Sequence, residues 1–130
     1  MISAIYASIS ALIIVRLSLN VIKARRLNKV SIGDGDFDNL KIAMAAQSNA
    51  IEYIPIALIL LFALEANQAN NLLIHVFGLA LLVGRIIHAQ AMANNNLNKR
   101  VLGMRITVFT LIGLAVGNLI YVPYAQFFKF

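Results

Sequence analysis

Residues 40–64 read LKIAMAAQSNAIEYIPIALILLFAL. At about 1.5 Å of rise per residue, this run is long enough to cross the roughly 30 Å hydrocarbon core of a bilayer as a helix. Its centre nevertheless carries Asn49, Glu52 and Pro55 in the short stretch "SNAIEYIP". A lipid-spanning helix with an ionisable residue at that depth faces either a polar interior or a partner. An unmatched charge at the bilayer centre costs about 2.5–3.5 kcal/mol on insertion scales.

The rest of the chain has the same character. Of 130 residues, 61% are hydrophobic and only 12% charged, with a mean hydropathy of +0.82. A soluble domain is closer to half apolar and a quarter charged, and so short a chain has no interior large enough to hide the excess. Three more apolar runs flank the first, giving expected spans at about 2–22, 40–64, 72–92 and 101–124. Short connections between them predict a single all-α domain, an antiparallel four-helix membrane bundle. "GDGDFD" marks a surface turn in the first connection. The first run lacks a basic start and an A-x-A site, so it reads as a retained helix.

Charge sets the expected orientation and partners. The net charge is +6. Loop 1 holds Lys23, Arg25, Arg26 and Lys29, loop 3 holds Lys99 and Arg100, and loop 2 holds no Lys or Arg. Loops 1 and 3 are therefore expected on the cytoplasmic side and both termini on the other. The cations are few and several lie inside apolar runs, which favours an anionic ligand or lipid surface over nucleic acid. With no cysteine, thiolate metal sites, disulfides and a cysteine nucleophile are excluded, and no metal site is expected.

The intramembrane polar residues are Arg16, Asn49, Glu52, Arg85 and His88, with Arg105 near the start of the fourth run. Counting helical rise, Glu52 lies roughly 16 Å in from Lys41, Arg85 roughly 13 Å from Asn94, Arg16 about 10 Å from Lys23 and Arg105 about 7 Å from Arg100. Asn49 and Glu52, at i and i+3, share a face, as do Arg85 and His88. One reading gathers these groups into a basic pocket that wants an anion, with a kink at Pro55 freeing a carbonyl. The plainer reading pairs Arg85 with Glu52, lets Asn49 act as interhelical glue worth about 0.6 kcal/mol, and lets Arg16 and Arg105 snorkel.

These residues resemble the MAPEG family, membrane-associated proteins in eicosanoid and glutathione metabolism, bacterial branch. "QSNAIEYIP" is similar to a second-span motif of that family, with Gln47, Asn49, Glu52, Tyr53 and Pro55 matching. "ARRLNKVS" resembles the family's first-helix end at Arg25 and Arg26, "GRIIH" a third-helix motif at Arg85 and His88, and "RITVFTL" the fourth-helix stretch that begins with a catalytic arginine, here Arg105. Where the family has an arginine and two tyrosines, this chain has Ala45, Met92 and Phe109.

The resemblance implies a homotrimer in a bacterial inner membrane, binding glutathione as co-substrate between subunits. It implies glutathione contacts from Arg25, Arg26, Gln47, Asn49, Glu52, Tyr53, Arg85 and His88. A thiolate would be held by Arg105, or by Arg100 if the third loop aligns differently. The implied activity is a glutathione transferase or peroxidase acting on a lipophilic electrophile. The alternative is a non-catalytic membrane protein that binds lipid or glutathione. A small exporter ranks below both, because the first helix carries Arg16 and no acid.

Overall fold

The computed structural model describes residues 1–124. Four helices run through them: α1 (Ser3–Asn28), α2 (Asp38–Ala66), α3 (Asn71–Ala93) and α4 (Leu97–Tyr121). Each is long and apolar enough to cross a membrane, so the fold is the all-α one that the apolar runs predict.

The helices differ from the runs at their ends, for local reasons. α1 continues past Ile22 through Lys23–Arg26, since straight-chain basic residues form helix well and favour a C-terminus. It stops at Lys29, which is left-handed (φ 55°) and donates its N–H to the last-turn carbonyls. α4 begins at Leu97, ahead of Val101, because Asn96 caps it, its side chain accepting from the Lys99 N–H at 3.1 Å. At the other end α4 stops at Tyr121 rather than Tyr124. Pro123 disfavours helix at the residue before it, and Val122 is extended (ψ 128°). Pro55 does not break α2, which continues through it.

Side-chain bonds record how the helices run. Glu65 near the end of α2 accepts from the N–H and the hydroxyl of Ser3 at the start of α1. Farther along, Gln47 Nε2 donates to Ser18 Oγ at 2.8 Å, and Asn28 donates to Asn39 at 2.9 Å. These ties make α1 and α2 antiparallel. Tyr6 on α1 meets His75 Nδ1 on α3 at 2.8 Å, and Asn118 on α4 donates to the Leu60 carbonyl of α2 at 2.8 Å. Loops 1 and 3 therefore lie at one end of the bundle, and loop 2 with the N-terminus at the other.

α3 packs most closely along α4, and α1 along α2. The loop-2 half of the core is built from Tyr6, Leu61, Leu64, Ile74, Leu81 and Leu114. The other half is smaller in volume: Leu17, Ala46, Ala50, Ile54 and Met92, then Val21, Ala24 and Leu40. The outer faces are also apolar, with Leu12, Leu19, Leu79, Phe109, Ile112 and Leu119 all exposed. A surface of this kind is stable against lipid and not against water.

Candidate functional site

The α3–α4 contact places the central guanidinium. A Cβ on Gly103 would come within 2.7 Å of the His88 nitrogen and 2.8 Å of the Gly84 carbonyl. Only glycine lets the two backbones approach so closely, the small-residue packing that replaces hydrophobic drive between helices in lipid. One turn on, Thr107 Oγ1 donates back to the Gly103 carbonyl at 2.9 Å. That leaves the hydroxyl lone pairs facing α3, where Arg85 Nε donates to them at 3.1 Å.

Arg85 is 2% exposed. Its Nη1 donates to Asn49 Oδ1 at 2.7 Å, and its guanidinium carbon lies 5.7 Å from the centroid of the Tyr53 ring. Its Nη2 is buried without a hydrogen-bond partner. Every contact of this cation is therefore neutral. The chain has five acids: Asp34, Asp36 and Asp38 belong to the loop-1 end, Glu65 is bonded to Ser3, and Glu52 is exposed. Among the described residues the one ion pair is Lys41–Asp36, at 3.0 Å in loop 1. The plainer sequence reading, an Arg85–Glu52 pair, is thus not what forms. The boundary of the packed face falls between Asn49, which turns inward, and Glu52, which does not. A buried cation lacking a counter-charge favours an anion nearby.

The remaining expected site residues are dispersed in the single chain. Arg25 is committed to loop 1, donating to the Gly33 carbonyl at 2.7 Å; Arg26 is exposed. Gln47 is spent on Ser18. His88 is buried one turn from Arg85, behind Gly103. Glu52, Arg100 and Arg105 are exposed, and Arg16 and Arg105 have no hydrogen-bond or ion-pair partner among the described residues. Asn49, Tyr53 and Arg85 do come together. Thr107 joins them without having been expected; its only sequence signal is the small-x-x-x-small spacing Gly103–Thr107.

On the loop-1 half a small crevice of about 60 Å³ lies at Met92 and Arg100, a shallow one of about 340 Å³ lies against Arg25, Arg26 and Lys29, and two more open between helices. One of about 270 Å³ is lined by Leu17, Asn20, Ala46 and Met92 among others. Another of about 350 Å³ lies between α1 and α3, at Arg16, Asn20, Ala89 and Gln90. Neither includes Glu52, Arg85 or Arg105.

Four membrane-length helices around a buried guanidinium with no carboxylate beside it define a small polytopic membrane protein. The chain belongs to the MAPEG family, whose model matches residues 3–120. It is similar to the inner membrane protein YecN of Escherichia coli strain K12, at 37% identity over 129 residues, covering 99% of this chain and 98% of that protein. YecN of Escherichia coli O6:H1 matches to the same extent.

Proposed function

We propose that the protein is a glutathione-dependent transferase or peroxidase that acts on a lipophilic electrophile inside a bacterial inner membrane. The observation that carries this reading is Arg85: a guanidinium buried in a membrane helix, with no acid beside it and one NH2 group, Nη2, left over. Glutathione at neutral pH brings two carboxylates and one ammonium. A basic layer with a single acid, Glu52, complements that pattern, with Asn49, Tyr53 and Arg85 as its inner wall.

The outward charges support a site completed by a second copy. Glu52 and Arg105 sit within spans and are exposed on the protomer, a costly arrangement against lipid. On α2 the exposed residues Lys41, Ala45, Ser48, Ile51, Glu52, Pro55, Ile56 and Ile59 form a broad face, and Glu52 lies within it. A homotrimer would cover these faces, with Arg105 facing the sulfur. A guanidinium beside a thiol lowers its pKa from about 8.5. The thiolate would then attack the electrophile, forming a C–S bond as the leaving group departs. The similarity to YecN, named an inner membrane protein, supports that location, and the basic loops 1 and 3 support a cytoplasmic site.

A second reading, glutathione or lipid binding without turnover, is favoured by one feature. Met92 is buried and Phe109 is exposed, apolar groups where a catalytic member has hydroxyls. Detergent-purified protein given glutathione and a chromogenic electrophile separates the two. Thiol-dependent product formation supports the enzyme, and binding without product supports the second reading.

A further inference from the structure

We infer that the crevice between α1 and α3 binds a membrane phospholipid with an anionic headgroup, its phosphate held by Arg16. The site shares no residue with the glutathione contacts named above and does not depend on them.

Ile13, Arg16 and Asn20 of α1 face Ile86, Gln90 and Ala93 of α3 across this crevice of about 350 Å³, a volume within the roughly 300–1,000 Å³ of small-molecule sites. Both sets recur at three- and four-residue spacing, so each helix presents one stripe and the crevice runs along the helices. Ala89 and Ala93 make the hollow, since their methyl groups leave the space that longer side chains would fill. The side chains of Arg16, Asn20 and Gln90 have no hydrogen-bond or ion-pair partner among the described residues. A cation and two amides without partners, gathered in one cleft of a membrane helix pair, call for a ligand with several oxygens. No acid lines this crevice, nor the adjoining one that shares Leu17, Asn20 and Ala89 with it. An anionic headgroup fits that lining, whereas a headgroup ammonium would meet a cation and no carboxylate.

Depth decides the kind of anion. α1 and α3 run in the same direction, and the Tyr6 ring lies directly against Gly78. That contact sets Arg16 level with His88, and α3 ends at Ala93. Arg16 thus lies about 7.5 Å below the end of α3, and Asn20 lies nearer to it. Residues 94–96, all asparagine and all exposed, mark the interface just above. A long arginine stem lets the charged head reach from there toward the phosphate layer. Below the crevice, exposed Val83 and Leu79 continue the α3 stripe from Ile86, an apolar track for an acyl chain. A headgroup anion above and an alkyl track beneath it describe a phospholipid in its ordinary orientation.

The test is native mass spectrometry of the protein released from nanodiscs that hold equal amounts of phosphatidylglycerol and phosphatidylethanolamine. Wild type should retain phosphatidylglycerol in preference. Arg16→Gln should lower that retention about fivefold, the effect of one interfacial cation, and Arg16→Lys should keep part of it. Ala89→Leu leaves the charge in place, fills the hollow, and should also lower retention. Lys99→Gln, outside the crevice, should not. Undiminished retention by Arg16→Gln overturns the proposal, as does equal retention of the two lipids by wild type. Equal losses from Lys99→Gln and Arg16→Gln would reflect surface charge alone and overturn it too. A fatty acid retained in place of the phospholipid, and lost from Arg16→Gln, overturns the phospholipid assignment. If Arg16→Gln and Ala89→Leu disperse the oligomer with lipid retention per chain unchanged, the crevice is a contact between copies and the proposal fails. None of these results bears on glutathione binding, which is measured separately.

Discussion

Arg85 Nη1 and Asn49 Oδ1 lie 2.7 Å apart, and this bond joins α3 to the second-span motif at the centre of the bundle. A neutral acceptor holds the cation in place without neutralising it. A carboxylate at position 49 would cancel the charge that makes the layer attractive to an anion, whereas an amide orients the guanidinium and leaves its charge available.

Replacing Asn49 by Leu keeps the bulk and removes the acceptor. Arg85 then has both terminal NH2 groups without partners, since Nη2 already lacks one. An unsatisfied buried donor costs about 1–3 kcal/mol, more for a charged group. Thermal unfolding in detergent should show Asn49→Leu destabilised by that order. A variant as stable as wild type would mean that Arg85 finds another partner.

Thr107→Val tests the other arm. The shape is nearly unchanged, but Arg85 Nε loses the oxygen at 3.1 Å. The expected loss is again about 1–3 kcal/mol, and Asn49→Leu with Thr107→Val should cost less than the two single losses summed, because both act on one guanidinium. Strict additivity would show that Thr107 contributes only its bond to Gly103.

Gly103→Ala should be more disruptive than its one methyl group suggests. The new Cβ meets backbone atoms of His88 and Gly84 at 2.7 and 2.8 Å, and backbone cannot step aside as a flexible side chain can. Overpacking of this kind costs about 1–3 kcal/mol. Lower thermal stability together with weaker glutathione binding is the expected outcome. Unchanged stability would show that α3 and α4 separate freely.

Much of this was legible in the sequence. The four spans follow from apolar run length, Asn49 and Arg85 could be singled out because polar side chains are conspicuous in such runs, and Tyr53 came from the resemblance of QSNAIEYIP to the family's second-span motif. Helix–helix register is a different matter. Thr107 is ordinary in composition, and becomes a partner of Arg85 only because Gly84 and Gly103 bring α3 and α4 together. Glu52 shares a broad face with Asn49, yet the edge of packing passes between them, and no count of residues reveals that edge. Arg25 sits in a motif that suggests a ligand, but in the folded chain it holds the Gly33 carbonyl of loop 1.

Glu65→Gln addresses the opposite end of the bundle. Glu65 accepts from the first N–H groups of α1 and from the Ser3 hydroxyl, supplying from α2 the cap that α1 lacks in its own sequence. A neutral amide accepts less strongly at a helix N-terminus. Faster amide hydrogen exchange over residues 3–6, with glutathione binding unchanged, is expected. Equal exchange in the two proteins would show that the cap is dispensable.

The most direct test of the account is the ultraviolet thiolate signal of glutathione bound to the detergent-solubilised protein near neutral pH. One pKa unit corresponds to about 1.4 kcal/mol, so a guanidinium that lowers the thiol pKa by one or two units produces a visible rise in absorbance. The account predicts that signal in wild type, its loss in Arg105→Ala with the oligomer intact, and partial retention in Arg105→Lys, where the charge stays but the planar fork is gone. Loss of the signal in Arg100→Ala and not in Arg105→Ala would exchange the two arginines' roles. A wild-type protein that binds glutathione with no thiolate signal at all would contradict the enzymatic reading and leave a binding protein.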